Sequence, residues 1–275
     1  MKTINFLTGV AIIALGFSVS SCKKDKVDAI SSDTVVALQD QAQANDMLDD
    51  VDNEADDVVN GNSSLKSAMV DDTTILTGRV VVWTTNNDGT RTAVITYTNF
   101  QNPRAKNERV KNGVIRIVVT GKRSDNTYKR VVTFENFTIN DNKIEGTKSI
   151  EKTADYVYKI TMTDGKITFT DSSFITVNYV RTRTMVEGES TPLYIWDDAY
   201  TFEGSANGLT RKGEQYTREI TIPIKVYTAY RFPVSGSFTF TCGDNTFTLD
   251  YGDGTMDDKA IITKNGVSKE ITLRR

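Results

Sequence analysis

Histidine is absent from all 275 residues. That excludes Ser-His-Asp and Cys-His nucleophile arrangements, His-ligated zinc or haem, and the usual side chain for switching charge near neutral pH. Cysteine is nearly absent: Cys22 and Cys242 are the only two. Two are too few for a disulfide framework or a thiolate metal cluster. Formal net charge is −3, so the basic footprint of a nucleic-acid binder is missing. No apolar run approaches the roughly 20 residues of a membrane-spanning helix. No metal, no cofactor and no nucleic-acid partner is therefore expected. What is present is 38% hydrophobic and 9% aromatic residues with only four prolines. That supplies one large core or two small ones and is too apolar for a disordered chain.

The first 21 residues read as a signal peptide. Lys2 gives the positive start, and an apolar stretch follows from Ile4 to Phe17, too short to span a bilayer. Val19-Ser20-Ser21 then places small residues directly before Cys22. A lipoprotein signal peptidase needs that arrangement: its groove admits small side chains, and the thiol first takes a diacylglyceryl group. Cleavage is expected between Ser21 and Cys22, with lipid on Cys22. The junction Ser21-Cys22-Lys23-Lys24-Asp25 resembles that of lipoproteins from Bacteroidota-type Gram-negative bacteria. The resemblance implies an outer-membrane lipoprotein, facing either the periplasm or the cell surface.

The mature chain is uneven in charge. Residues 22–70 hold eleven acids and four lysines; residues 71–275 hold 25 acids and 28 bases. The first stretch also lacks aromatics and proline, whereas the second is rich in Thr, Val, Ile, Tyr and Phe. The division reads as a signal peptide over 1–21, an acidic helical segment and linker over 22–74, and an antiparallel β domain over 75–275. The spacing of Ala44, Leu48, Val51, Ala55 and Val58 predicts a helix over 32–59, started by Ser32 or Asp33 as a cap. Two of the five stripe residues are Ala, and the aspartates repel one another. The expectation is a marginal helix, or two short ones, docked loosely or acting as a stalk, so that deleting 27–70 leaves the body folded. Asn60-Gly61-Asn62-Ser63-Ser64 ends it.

From residue 75 the pattern has period two. Gly113–Thr120, Tyr128–Phe134, Tyr156–Met162, Ser237–Thr241 and Thr246–Tyr251 read as strands of residues suited to a pleated, half-buried surface. Turn signals separate them: Asn87-Asp88-Gly89, Asn140-Asp141-Asn142, Asp164-Gly165, Gly243-Asp244-Asn245, Gly252-Asp253-Gly254 and Asn265-Gly266. The short spacing leaves no room for crossover helices. The fold expected is all-β, an antiparallel meander of about fifteen strands that forms a sandwich or a strongly curled sheet. The stretches Asn136–Thr147, Arg181–Glu189 and Asp250–Ala260 resemble a widespread group of lipoproteins from the same bacteria. That resemblance implies an all-β body behind a lipid anchor and brings no catalytic residues with it.

Four constellations invite a functional reading. Asp250–Asp258 packs four carboxylates and two glycines into nine residues, a conceivable calcium loop, but it departs from the EF-hand spacing and reads better as a tight hairpin turn. Glu187 and Glu189, or Asp197 and Asp198 beside Tyr194, Trp196 and Tyr200, are candidate acids for polysaccharide hydrolysis; an exposed acidic turn is the preferred reading. Residues 104–130 hold nine Lys/Arg and two acids. Arg116 shares a face with Val114 and Val118, while Lys129 and Arg130 face opposite ways, and the group reads as a solvated, edge-protecting sheet face. Trp83, Trp196, Tyr230 and Phe232 could stack on sugars; core packing is the default for aromatics, and the sequence does not separate the two. Cys242 is read as a small buried hydrophobe.

The function expected is a lipid-anchored cell-envelope protein, not an enzyme, with a binding or structural role at the outer membrane. The membrane is engaged through acyl chains on Cys22, with a glycan or a protein as partner. The alternatives are a carrier of an apolar ligand or lipid, and a polysaccharide hydrolase.

Overall fold

The computed structural model describes residues 32–59, 69–70, 73–102, 109–191, 195–230 and 232–273. The signal peptide, Ser21, Cys22, Tyr194 and most of the 60–74 linker lie outside the described residues.

One helix precedes a long run of strands. Helix α1 spans Ser32–Val59, the span its apolar spacing predicts. Strands β1 (Met69–Val70) and β2 (Thr73–Leu76) are short. Thirteen longer strands follow. The first seven are β3 (Arg79–Thr85), β4 (Arg91–Gln101), β5 (Val110–Thr120), β6 (Lys129–Ile139), β7 (Asn142–Ala154), β8 (Val157–Thr168) and β9 (Phe174–Glu187). The remaining six are β10 (Ala199–Leu209), β11 (Gln215–Tyr227), β12 (Ser235–Cys242), β13 (Asn245–Asp253), β14 (Lys259–Lys264) and β15 (Val267–Thr272). The hydrogen-bonded order is the chain order, an antiparallel meander that does not close into a barrel. Tight hairpins make this order the cheap one. Asn265 and Gly266 both take positive φ, the conformation whose twist matches the flanking strands.

Two compact units are present, residues 50–182 and, separately, the helix residues up to Asp49 with residues 183–275. In the first unit the inward positions carry the core: Ile95 and Tyr97 on β4, Ile115 and Ile117 on β5, Val132 and Phe137 on β6, Ile144 on β7, Met162 on β8, and Val177 on β9. In the second, Phe202, Tyr216, Phe238, Phe240, Phe247, Leu249 and Ile262 do so. Tyr216 stacks on Phe240 at 5.7 Å, and Phe240 on Phe247 at 5.3 Å.

The first unit bends along a line of bulges. Register shifts fall between Tyr97 and Phe100 on β4, between Asn112 and Val114 on β5, and between Glu145 and Thr147 on β7. At Gly113, φ is +92° and an added Cβ would sit 2.1 Å from the Asn136 carbonyl oxygen. Only glycine lets the two backbones approach so closely. At Gly146 the same atom would lie 2.8 Å from the Asp164 carbonyl oxygen. The backbone groups released by the bulges are recaptured by asparagines. Asn99 donates its N–H to Asn112 Oδ1 at 2.7 Å, and Asp164 donates to Asn178 Oδ1 at 2.7 Å. Bulges increase local twist and bend the strand. The Asp164-Gly165 pair, expected as a turn, is one of these bends inside β8: adjacent small and αL-tolerant residues signal a bulge as readily as a hairpin.

The helix corrects a second expectation. It is not loosely docked: Leu48, Val51 and Ala55 are each at most 1% exposed, and its acids enter the interior.

Candidate functional site

The helical wheel explains how an acidic helix can be buried. Successive residues turn by about 100°. Ala44, Leu48, Val51, Ala55 and Val58 form one apolar stripe. Asp50 and Glu54 lie on one flank of it, and Asp52 and Asp56 on the opposite flank. The strands of the first unit meet both flanks with cations.

On the first flank, Lys111 of β5 reaches Glu54 Oε1 at 2.7 Å and Asp50 Oδ2 at 2.9 Å. Arg79 of β3 lies 3.4 Å from Glu54 Oε2, and the Tyr97 hydroxyl of β4 donates to the same oxygen at 3.0 Å. Arg109 adds a longer contact to Asp50 at 3.7 Å. On the second flank, Arg130 of β6 donates to Asp56 Oδ1 at 2.6 Å and approaches Asp52 Oδ1 at 3.3 Å. Lys148 of β7 reaches Asp52 Oδ2 at 2.5 Å, and Arg123 lies 3.7 Å from Asp56. The wall of β3–β7 therefore clasps α1 from both sides. The side chains of Arg79, Lys111, Arg130 and Lys148 are each no more than 3% exposed.

Burial at this depth disfavours charge, so each ion must be held by its partners. Burial alone would raise the Glu54 carboxyl. Lys111 and Arg79, with the hydrogen bonds from Lys111 and Tyr97, outweigh that and hold it below the ordinary value. Burial likewise opposes the Arg130 charge, and Asp56 and Asp52 overcome it, leaving Arg130 above its ordinary value. The Tyr97 hydroxyl is pushed well up by burial and by the Glu54 charge it faces. The phenol stays protonated and serves only as a donor.

Asp57 behaves differently. Burial first, then the charges of Glu54 and Asp56, push it up to about 6. A raised carboxyl favours the protonated folded form. Its stabilisation is complete below the unfolded value of 3.8 and is lost as pH rises through about 6. Asp57→Asn is therefore expected to raise stability at pH 7 by about 1 kcal/mol, after allowing for solvent screening of a partly exposed group. The gain should vanish below pH 4. Urea titrations of both proteins at the two pH values check this; an equal gain at both would show that charge is not the cause.

The second unit holds the other half of the helix more simply. Arg211 Nε pairs with Asp40 Oδ1 at 2.8 Å. Asn45 donates to the Gln41 carbonyl at 2.7 Å within the helix.

The sequence candidates fall elsewhere. Arg116 is exposed beside the half-buried Val114 and Val118, and Lys129 is exposed. Arg130 is not part of a solvated face; it is fully buried in the clasp. Arg79, Lys111, Lys148 and Tyr97 were not singled out by motif. Strand parity could have found them: Lys111 alternates in step with Ile115 and Ile117, Arg130 with Val132, and Lys148 with Ile144 and Ile150.

Glu187 accepts from Lys225 and from the Tyr227 hydroxyl at 3.2 Å, and the Lys225 bond in particular keeps its carboxyl below the ordinary range. Asp198 is buried and raised by that burial, against the pull of a 2.9 Å bond from Tyr200. Asp197 accepts from Thr191 at 2.7 Å, and Glu189 is exposed. The carboxylates of the Asp250–Asp258 loop accept from their own backbone: Asp250 from Gly252 N, Asp253 from Thr255 N, Asp257 from Lys259 N. These are turn-stabilising bonds. Among the described residues no group of three or more His, Cys, Asp or Glu is placed to hold a metal ion.

The four aromatics are not core residues. Trp196 is 57% exposed. Trp83 is half-buried under the Arg91 guanidinium at 4.3 Å, and Tyr230 and Phe232 are half-buried against each other. Cys242 is buried, as expected. Its thiol is pushed up to about 11 by burial and by Glu214, to which it donates. No protein-family model, no curated protein and no solved structure matches this chain.

Proposed function

We propose that the chain is a lipid-anchored cell-envelope protein, held at the outer membrane by acyl chains on Cys22, whose β body binds or scaffolds a partner through its outer surface. The anchor reading rests on Val19-Ser20-Ser21-Cys22 behind a short apolar run. The binding role rests on one observation. On the outward face of β3–β5, Val80, Val82, Val94, Val114 and Val118 occupy neighbouring strands, with Val82 paired to Val94 and Val94 to Arg116. Partly exposed apolar side chains gathered on one sheet face are a feature of interaction surfaces. The partner class that fits is a protein or glycan offering apolar surface and an acceptor for Arg116. A carrier of apolar ligand would need an apolar concavity, and the inner wall of β3–β7 instead presents four cations to α1.

The test is chemical. Intact-mass and N-terminal analysis of the native protein is expected to show Cys22 as the first residue, carrying two or three acyl chains. Each buried methylene contributes about 0.8 kcal/mol, so two chains suffice for stable attachment. Cys22→Ala is expected to release the protein from the membrane fraction. An unmodified Cys22 in the native protein would falsify the reading.

A further inference from the structure

Trp196 is 57% exposed, more than any other large apolar side chain among the described residues. Tryptophan is ordinarily well covered by its neighbours, and an indole left in water adds nothing to a core. The turn that carries it is nevertheless firmly built. Trp196 lies in a short 3-10 turn, Ile195–Asp197, at the entry to β10. The next residue, Asp198, is 4% exposed; its carboxylate accepts from the Tyr200 hydroxyl at 2.9 Å, and its carbonyl accepts from Thr228 N at 2.9 Å. Gly188, at φ +93°, approaches so closely that an added Cβ would lie 2.1 Å from Asp198 Oδ1. Thr191 Oγ1 donates to Asp197 Oδ2 at 2.7 Å, and Thr191 N donates to the Gly188 carbonyl at 3.1 Å. The fold therefore fixes the backbone around Trp196 and leaves its ring in solvent.

A second aromatic pair leaves the same end of the sheet. Ala199 of β10 pairs with Tyr227 of β11, so Trp196 and Tyr230 each stand three positions beyond one register point on adjoining strands. Tyr230 and Phe232 meet edge to face at 6.3 Å. Their connection is pinned by the buried Pro233 and Val234 and by the bond from Val234 N to the Lys225 carbonyl at 2.9 Å. Polar groups share this end. Asp197 is exposed beside Trp196, and Glu187 accepts from Lys225 and from the Tyr227 hydroxyl.

We propose that this end of the second unit is a subsite for a neutral polysaccharide, with Trp196 as its stacking platform and Asp197, Glu187 and Lys225 as its hydrogen-bonding groups. The site depends neither on the β3–β5 face nor on lipid at Cys22. A sugar ring offers C–H groups on one face and, around its rim, hydroxyls that both donate and accept. An exposed indole takes the first through apolar burial and its electron-rich face. Carboxylates accept from the hydroxyls, and ammonium and phenol groups donate to them. Binding sites for small ligands combine aromatic walls with a few placed polar groups in this way. A protein partner favours an aromatic patch cleared of charge at its centre, whereas a carboxylate adjoins this indole. An anionic bilayer or an acidic polysaccharide is disfavoured by the same groups, since Glu187, Glu189 and Asp197 outnumber Lys225 there.

The chain has only two tryptophans, so Trp83→Phe, on β3 of the first unit, leaves Trp196 as the sole indole. The test titrates the full-chain Trp83→Phe protein with maltohexaose, cellohexaose and mannohexaose, reading indole emission and acrylamide quenching. The expected result is a saturable blue shift and loss of quenching with at least one of the three. Trp196→Ala in the native chain is expected to weaken calorimetric binding of that sugar about tenfold or more. Its urea midpoint should stay unchanged, because the side chain removed is exposed. Asp197→Ala is expected to weaken binding about threefold or more. Should Trp196→Ala fail to fold, protection of the indole by sugar in Trp83→Phe decides. No response to any of the three sugars overturns the proposal, as does binding left intact by Trp196→Ala or by Asp197→Ala. Phosphatidylethanolamine–phosphatidylglycerol vesicles are the remaining probe. Protection of Trp196 by these vesicles and not by sugar overturns the proposal and assigns the indole to a bilayer surface.

Discussion

Replacing Arg130 with Met is expected to cost about 3–5 kcal/mol, the range for breaking a buried ion pair by removing one partner. Arg130 is fully buried and bridges two carboxylates on one flank of α1, at 2.6 Å from Asp56 and 3.3 Å from Asp52. Methionine fills much of the same volume, so packing changes little and charge changes most. Asp52 keeps Lys148, but Asp56 is left with Arg123 at 3.7 Å. The helical signal at 222 nm is expected to disappear at a clearly lower urea concentration than in the native protein. Adding Asp56→Asn to Arg130→Met should restore most of the loss, because the stranded charge is then gone. A loss under about 1 kcal/mol for the single variant would mean that Asp56 finds water, and that the clasp is more open than its burial implies.

Gly113→Ala is expected to lower the melting temperature by roughly 10 °C, reflecting a loss of about 3 kcal/mol or more. Two costs combine at this residue. An L side chain at φ +92° is strained, and its Cβ would lie 2.1 Å from the Asn136 carbonyl oxygen and 2.7 Å from Phe137 Cα. Those contacts are backbone, so relief requires β5 and β6 to separate at the bulge. Gly89→Ala is the control. Its φ is +81° with nothing within 4 Å of the added atom, so only the conformational cost of about 1 kcal/mol remains. Calorimetry of both variants separates the terms. Equal shifts would show that the close approach at Gly113 carries no energy and that the bend does not depend on it.

These two sites differ in how far they can be read from the chain alone. The helix was legible because five apolar residues at spacings of three and four admit one explanation. The meander was legible because alternating Thr, Val, Ile and aromatic runs are separated by turns too short for crossover helices. Cys242 was legible as a small residue in step with a buried strand face. Asp164-Gly165 was misread because the local chemistry of a bulge and of a hairpin turn is the same; which one forms depends on whether the partner strand continues. Whether Trp83, Tyr230 and Phe232 pack inside was not legible, because aromatic identity does not say which face of a curled sheet is inward.

The chain alone specifies the elements, their order and the charge imbalance between an acidic helix and a basic body, since these follow from local spacing and composition. It also contained the parity that puts Lys111, Arg130 and Lys148 on the same faces as aliphatic residues. That this parity means pairing emerges only in the folded protein. A lysine in a strand is ordinarily a solvated edge residue. It becomes a buried counter-ion only when bulges such as those at Gly113 and Gly146 bend the sheet until two opposite flanks of one helix come within 3 Å of it. That juxtaposition joins residues 25 to 96 positions apart, from Glu54 with Arg79 to Asp52 with Lys148. No local pattern records such a distance, because the energy that favours it exists only once the wall has closed around the helix.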